Sequence, residues 1–288
     1  MNEVTVIGLG SMGATLGQLF LRRGRRVTVW NRSAAKAEAL GSQGASIVAT
    51  AEEAVRASEV VVMCVYDYMA ADAVLGARGV AEAMAGRILV QLTTGSPDDA
   101  RKSMEWCRQY EAQYLEGAIQ AAPSQMGKPD TPLLLSGDKA TYSVAEPFLK
   151  DLAGNLVYLG DRIEAASTMD LATLSYVYGA MTGFLHGARI AEVEGLDVAQ
   201  YGRIVNEISP SFGAFFQHEG SVIQSGDFTI TESPLRISVE ATQRILQSSK
   251  EAGINTEFPS LVADLLARAD AAGLGDQELA ALIKVLRT

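Results

Sequence analysis

From residue 4 to about residue 160 the chain alternates two kinds of run. Short apolar stretches begin at residue 4 and recur at 27–30, 60–65, 88–92, 114–115, 133–135 and 156–159, and they read as strands. Segments between them, such as 52–57 and 97–113, are helical in composition. This alternation predicts an α/β fold, a doubly wound, mostly parallel sheet in a domain covering residues 1–160. Beyond Gly160 the strand patterns stop. One long helical pattern occupies 162–194 and defines an interdomain helix at 161–194. Helices are then expected around 198–207, 234–252, 259–272 and 276–286, giving an all-helical unit over 195–288. A chain of 288 residues is long for one core, and it carries no internal repeat or low-complexity linker.

The first strand runs straight into glycines, as VTVIGLGSMG at residues 4–13. In a βαβ unit the first glycine permits the tight turn, the second lets a phosphate approach the backbone, and the third lets helix and strand pack closely. Gly8, Gly10 and Gly13 occupy these places, with Leu9, Ser11 and Met12 completing the loop. A pyrophosphate there would meet the unpaired N–H groups of a helix N-terminus. About 20 residues beyond the glycines, an acidic residue would bind a ribose 2'-hydroxyl. This chain has Asn31, Arg32, Ser33 and, a turn later, Lys36. Those side chains suit a 2'-phosphate, so the expected cofactor is NADPH. The competing reading makes Arg32 and Lys36 ordinary surface charges. Ligands of such sheets bind off the carboxyl ends of the strands, which points to the segments after Val65 and Leu92.

Net charge is −10, with no basic stripe to neutralise phosphates, and nucleic acid is excluded as a partner. Cys64 and Cys107 have no CxxC spacing and read as reduced thiols. A strand begins near the N-terminus without a basic and apolar leader, so a cytoplasmic location is expected. Residues 171–188 carry no formal charge, yet their hydroxyls and His186, with no flanking Lys/Arg cluster, favour a buried helix over a membrane span. His186 and His218 lie 32 residues apart with no ligand spacing, and no metal site is expected.

The long helix holds two anomalies. Gly179, Gly183 and Gly187 recur every fourth residue, although an interior glycine costs about 1 kcal/mol relative to alanine. Such a face admits a second backbone, either in an interlocked homodimer or in close packing within one subunit. Asp170 lies near Leu174, Val177 and Met181 at helical spacing. Burial would raise its pKa and fit it to donate a proton or anchor a cation, whereas the plainer alternative is a capping or solvated Asp near a helix start.

Several longer stretches carry a resemblance. GLGSMG (8–13), VTVWNRS (27–33), QLTTGSP (91–97), YLEGAIQAAPSQMGKP (114–129), DLATLSYVYGAMTGFLHG (170–187) and EAGINTEFP (251–259) make the chain similar to imine reductases and reductive aminases along its whole length. These are relatives of the β-hydroxyacid dehydrogenases. At the helix position where those dehydrogenases hold a lysine this chain has Asp170, and no lysine occurs between Lys150 and Lys250.

The resemblance implies an intertwined homodimer in which the Rossmann domain of one subunit faces the helical domain of the other. It implies hydride transfer from NADPH to the carbon of an imine, with Asp170 protonating the nitrogen or holding the iminium. A small-molecule imine, or a carbonyl plus an amine, would be the substrate. Tyr178, about 80 degrees around an ideal helix from Asp170, would join it as a catalytic residue and, with Met181, border the substrate. Gln120 and Ala121 would form part of the substrate wall, Gln120 being polar where many relatives are apolar. Val65, Tyr66, Thr93, Thr94 and Ser96 would pass the cofactor, the last three alternatively forming a simple turn. Phe212 and Phe216 would shape the pocket or sit in the core. Two other functions stay open: a β-hydroxyacid dehydrogenase-like oxidoreductase, and a non-enzymatic NADPH-binding regulator.

Overall fold

In the computed structural model, which describes residues 2–287, eight strands form one sheet. They are β1 (Glu3–Ile7), β2 (Arg26–Trp30), β3 (Ser46–Ile47), β4 (Val60–Met63), β5 (Ile88–Gln91), β6 (Gln113–Ile119), β7 (Pro132–Ser136) and β8 (Asn155–Tyr158), in the spatial order β3-β2-β1-β4-β5-β6-β7-β8. Every neighbouring pair is parallel except β6 with β7. The chain winds outward from β1 to β3, then returns to lay β4 against the other side of β1. That reversal opens a crevice at the carboxyl ends of β1 and β4.

Helices α1 (Ser11–Arg22), α2 (Glu38–Gly41), α3 (Ala51–Arg56), α4 (Tyr68–Leu75), α5 (Val80–Met84), α6 (Pro97–Gln109) and α7 (Lys139–Leu152) accompany this sheet. Its two faces bury separate cores. Val4, Val6, Val60, Val62 and Leu133 pack with Leu16, Phe20 and Phe148 of α1 and α7. Ile7, Val61, Met63 and Leu89 pack with Val55, Val74, Met84 and Cys107 of the opposite helices. Strands covered on both faces must be apolar throughout, which is why these runs do not alternate.

The remaining helices are α8 (Ala165–Val193), α9 (Val198–Ser225), α10 (Leu235–Glu251), α11 (Glu257–Ala269) and α12 (Ile283–Leu286). The chain divides into two compact units within α8, after Ser175. In the second, Val222, Phe228, Leu235, Leu266 and Ala281 form the core.

Three expectations change. The helix expected at 198–207 continues to Ser225 through Pro210. Proline removes one backbone donor, and the Asn206 carbonyl so freed lies on an exposed residue that water can reach. The helix expected at 276–286 is instead a short 3-10 turn at Leu279–Leu282 followed by α12. Glu278 is held extended there, because its N–H donates to the Phe228 carbonyl (3.0 Å) and its carboxylate accepts from Thr231 N–H (2.8 Å). Finally, two of the three spaced glycines of α8 admit side chains from this chain. A Cβ on Gly183 would touch the Phe258 ring at 3.4 Å, and one on Gly187 would collide with Tyr201, while Gly179 faces open space.

One row across the sheet departs from apolarity. Register aligns Ile7, Met63, Gln91, Glu116 and Ser136. Glu116 is buried and accepts hydrogen bonds from Tyr114 and Tyr68, the latter at 2.8 Å. Burial pushes its carboxyl from 4.5 up to about 8; the two tyrosines oppose this, and the nearby Asp170 and Asp99 add to it.

The folded state therefore holds a proton on Glu116 that the unfolded chain releases, and stability drains away as pH climbs from 4.5 to about 8. Glu116→Gln, which keeps shape and hydrogen-bonding capacity, should raise unfolding free energy by on the order of a few kcal/mol at alkaline pH. Denaturant titrations should show this gain shrinking toward zero as pH falls to 4.5. An equal gain at every pH would contradict the assignment.

Candidate active site

The loop after β1 is shaped by its neighbours. Gly8 has φ +94°, and a Cβ there would strike the Cys64 carbonyl. On Gly13 a Cβ would strike the Gly8 carbonyl, whereas on Gly10 it would meet nothing within 4 Å. Turn, close packing and open approach are thus divided among the three glycines as their spacing predicts. Gly10 precedes α1, whose first turn has no side-chain cap. Its free N–H groups can take an anion.

A cavity of about 500 Å³ lies over this turn, lined by Gly8, Leu9, Gly10, Ser11, Met12 and Gly13, by Asn31, Arg32, Ser33 and Lys36, and by Val65. Arg32 and Lys36 are exposed, and neither has an ion-pair partner among the described residues. Asn31 has a role that its position in the sequence does not reveal. Its Oδ1 accepts from Leu9 N–H (2.9 Å) and its Nδ2 donates to the Ser33 carbonyl (3.0 Å), so it braces the glycine loop against the end of β2. Tyr66, Ala70, Ala73 and Val74 also line the cavity. Apolar spacing marks the last three as helix residues but not as lining.

Farther along the carboxyl edge, Thr93 Oγ1 accepts from Val65 N–H (3.0 Å) and ties the ends of β4 and β5 together. Ser96 caps α6 in a reciprocal arrangement with Asp99. Thr94 is exposed. None of the three lines the cavity over the glycines, and Thr93 and Ser96 are committed to holding the edge in shape.

The start of α8 is fastened to the sheet by one hydroxyl. Ser136 Oγ, on β7, donates to the Ile163 carbonyl (2.7 Å) and accepts from Ala166 N–H (3.0 Å). Ala166 packs against Ala118 and Leu134 beneath it. One turn on, Asp170 is 5% exposed. It caps nothing and is not solvated. Gln120, following β6 at the same carboxyl edge, donates from Nε2 to Asp170 Oδ1 and accepts through Oε1 from Thr173 Oγ1 (2.7 Å). Burial raises the Asp170 carboxyl above the ordinary carboxylate range, and the Gln120 bond opposes that rise. Ala121 is half-buried and, with Gln120, lines a small cleft with Thr131 and Pro132. Sequence patterning did not single out Thr173; its signal was a hydroxyl one turn beyond a buried acid.

An apolar stripe around Asp170 is not what buries it. Val177 and Met181 are exposed in the single chain, as is Tyr178 at 67%. Phe212 and Phe216, on α9, are 50% and 47% exposed and so lie outside the core, with Phe216 edge-on to Tyr176 at 5.4 Å. His186 and His218 are satisfied helix residues, bonded to Ser249 and Thr231. Among the described residues no cluster of His, Cys, Asp or Glu is arranged to hold a metal, and no helix is long and apolar enough to cross a membrane.

Residues 3–160 match the NAD binding domain of 6-phosphogluconate dehydrogenase, and residues 163–288 match the C-terminal domain of NADPH-dependent reductive aminase-like proteins. An imine reductase from Myxococcus stipitatus, solved with NADP+, is 32% identical, with a TM-score of 0.92 over 99% of both chains. A reductive aminase from Aspergillus terreus, solved with NADPH4, cyclohexanone and allyl amine, is 32% identical, with a TM-score of 0.90 over 99% of both chains. The NADPH-dependent reductive aminase of Aspergillus oryzae is 29% identical over 99% of this chain and 97% of its own length. With its dinucleotide loop, its buried aspartate and its full-length likeness to these enzymes, the chain belongs to the imine reductase and reductive aminase family.

Proposed function

We infer that this protein is an NADPH-dependent oxidoreductase that reduces imines to amines, with the imine supplied as such or formed from a carbonyl and an amine. The observation that carries this is Asp170, a buried acid at the carboxyl edge of a dinucleotide-binding sheet, in a stretch without any lysine between Lys150 and Lys250. A base that assists alkoxide formation is missing, and a group suited to nitrogen stands in its place.

The glycine loop and α1 N-terminus would hold the pyrophosphate of NADPH, with Arg32, Ser33 and Lys36 on its 2'-phosphate. When bound, NADPH supplies the hydride that the C=N carbon accepts. As the π bond opens, its electron pair stays on nitrogen. Asp170 then acts in one of two ways. Neutral, it breaks its O–H bond and gives the proton to that nitrogen; ionised, it holds an already protonated iminium by charge. Burial favours the neutral form that can donate, and the Gln120 bond favours the ionised form that can hold a cation. Tyr178, Met181, Phe212 and Phe216 supply the exposed apolar and aromatic surface of a substrate wall.

That surface also supports a homodimer. Leu171, Tyr176, Val177, Met181 and Leu185 on α8, with Ile204, Ile208, Phe212 and Phe216 on α9, are exposed in one chain. Apolar surface of this extent is normally covered, and the occupant we assign is a second copy, as the sequence likeness implied. The two buried, unpaired thiols support a reducing, cytoplasmic setting.

Incubated with NADPH and a cyclic imine such as a pyrroline, the protein should consume cofactor absorbance. Asp170→Ala should slow turnover at least about tenfold with NADPH affinity retained. Undiminished turnover in that variant, or oxidation of 3-hydroxy acids with NADP+ outpacing imine reduction, would refute the reading. Replacing Arg32 and Lys36 together by alanine should weaken NADPH binding about tenfold or more while leaving NADH binding nearly unchanged. Calorimetry on both cofactors checks this. Sedimentation should give the mass of two chains, and Ile208→Glu should shift it toward one.

A further inference from the structure

Asp170 must stay hydrogen-bonded both with and without its proton, in a place largely closed to water. Its neighbours are suited to this. Gln120 Nε2 donates to Asp170 Oδ1, and Gln120 Oε1 accepts from Thr173 Oγ1 at 2.7 Å. The same hydroxyl lies 2.9 Å from the backbone carbonyl of Asp170, a second acceptor. A hydroxyl has one hydrogen to give, so Thr173 serves these two oxygens in alternation.

The pattern with Thr173 donating to Gln120 suits an ionised Asp170, because the amide then turns its N–H toward the carboxylate. Rotating the amide by half a turn gives the complement. A protonated Asp170 donates to Gln120 Oε1, the amide N–H donates to Thr173 Oγ1, and the Thr173 hydroxyl swings to the Asp170 carbonyl. Each atom used in one pattern finds a partner in the other. The frame stays fixed meanwhile, since Gln120 N–H donates to the Pro132 carbonyl (3.2 Å) and Thr173 follows Asp170 by one helical turn. An apolar side chain at position 120 could supply neither pattern.

We propose that Gln120 and Thr173 form a reversible hydrogen-bond circuit that keeps the Asp170 carboxyl paired in both of its protonation states, which makes Gln120 a positioning residue for the proton step. The inference rests on Asp170 being the acid or anchor of imine reduction. No proton passes through the amide. In the proton-donating mode, the O–H bond of Asp170 breaks, an N–H bond forms on the substrate, and the amide only reorients around the carboxylate left behind.

Infrared difference spectra against Asp170→Asn, taken on the NADP+-bound enzyme across pH, follow the Asp170 carboxyl without any turnover. Gln120→Met matches the glutamine in length but removes its bond to the charged form, the stronger of the two. The titration midpoint should therefore rise by about one pH unit. kcat/KM for a cyclic imine should fall about tenfold with NADP+ affinity unchanged. Thr173→Val should lower kcat/KM severalfold, and Thr173→Ser, which restores the hydroxyl, should recover it. An unmoved midpoint in Gln120→Met with normal NADP+ affinity overturns the circuit even where the wild type reduces imines. A raised midpoint in a protein that reduces no imine upholds the circuit and sinks the assigned reaction instead. Should the methionine variant lose NADP+ binding, Gln120→Leu gives the same two outcomes.

Discussion

The bridge made by the Ser136 hydroxyl governs where Asp170 stands. It joins the end of β7 to the Ile163 carbonyl and the Ala166 N–H, so the first turn of α8 cannot slide along the sheet. Asp170 follows at a fixed distance along that helix and comes to rest beside the residue that follows β6. Because β6 and β7 run antiparallel, the loop carrying Gln120 and the end of β7 reach α8 from opposite ends of a strand pair. A buried acid is tolerable only where its hydrogen bonds are supplied, and this geometry supplies them.

The same economy runs along the whole carboxyl edge. Asn31 spends its amide on the glycine loop, Thr93 spends its hydroxyl on joining β4 to β5, and Ser96 closes α6. These residues hold the edge, and Arg32 and Lys36 line the cavity without an ion-pair partner among the described residues. Rigid polar bracing of this kind keeps an open glycine turn in shape.

The helical unit follows a different logic. Its small core is closed by Glu278, which ties the segment at Phe228 and Thr231 to the C-terminal turns. Long apolar faces of α8 and α9 remain outside that core. Gly183 and Gly187 are accounted for by the rings of Phe258 and Tyr201, while Gly179 is open, so the glycine ladder answers to two different neighbours rather than to one.

What the amino-acid order determined by itself was local in origin. The strand runs, the glycine turn and the cationic cluster after β2 follow from residue types at short spacings, and each is found in the structure; that Asp170 stands where related dehydrogenases hold a lysine came from the resemblance. The length of α9 was hidden because Pro210 reads as a stop; the helix continues through it to Ser225, and Asn206, whose carbonyl loses its partner, is an exposed residue. β3 has two residues and left no pattern. Which groups face Asp170 was decided only in three dimensions, since Gln120 lies 50 residues away and meets it only once β6 and α8 are in place. Likewise, whether Val177, Met181 and Phe212 are core or surface depends on what packs against them, and hydrophobicity alone is silent on that because an apolar side chain is equally suited to a core and to an interface.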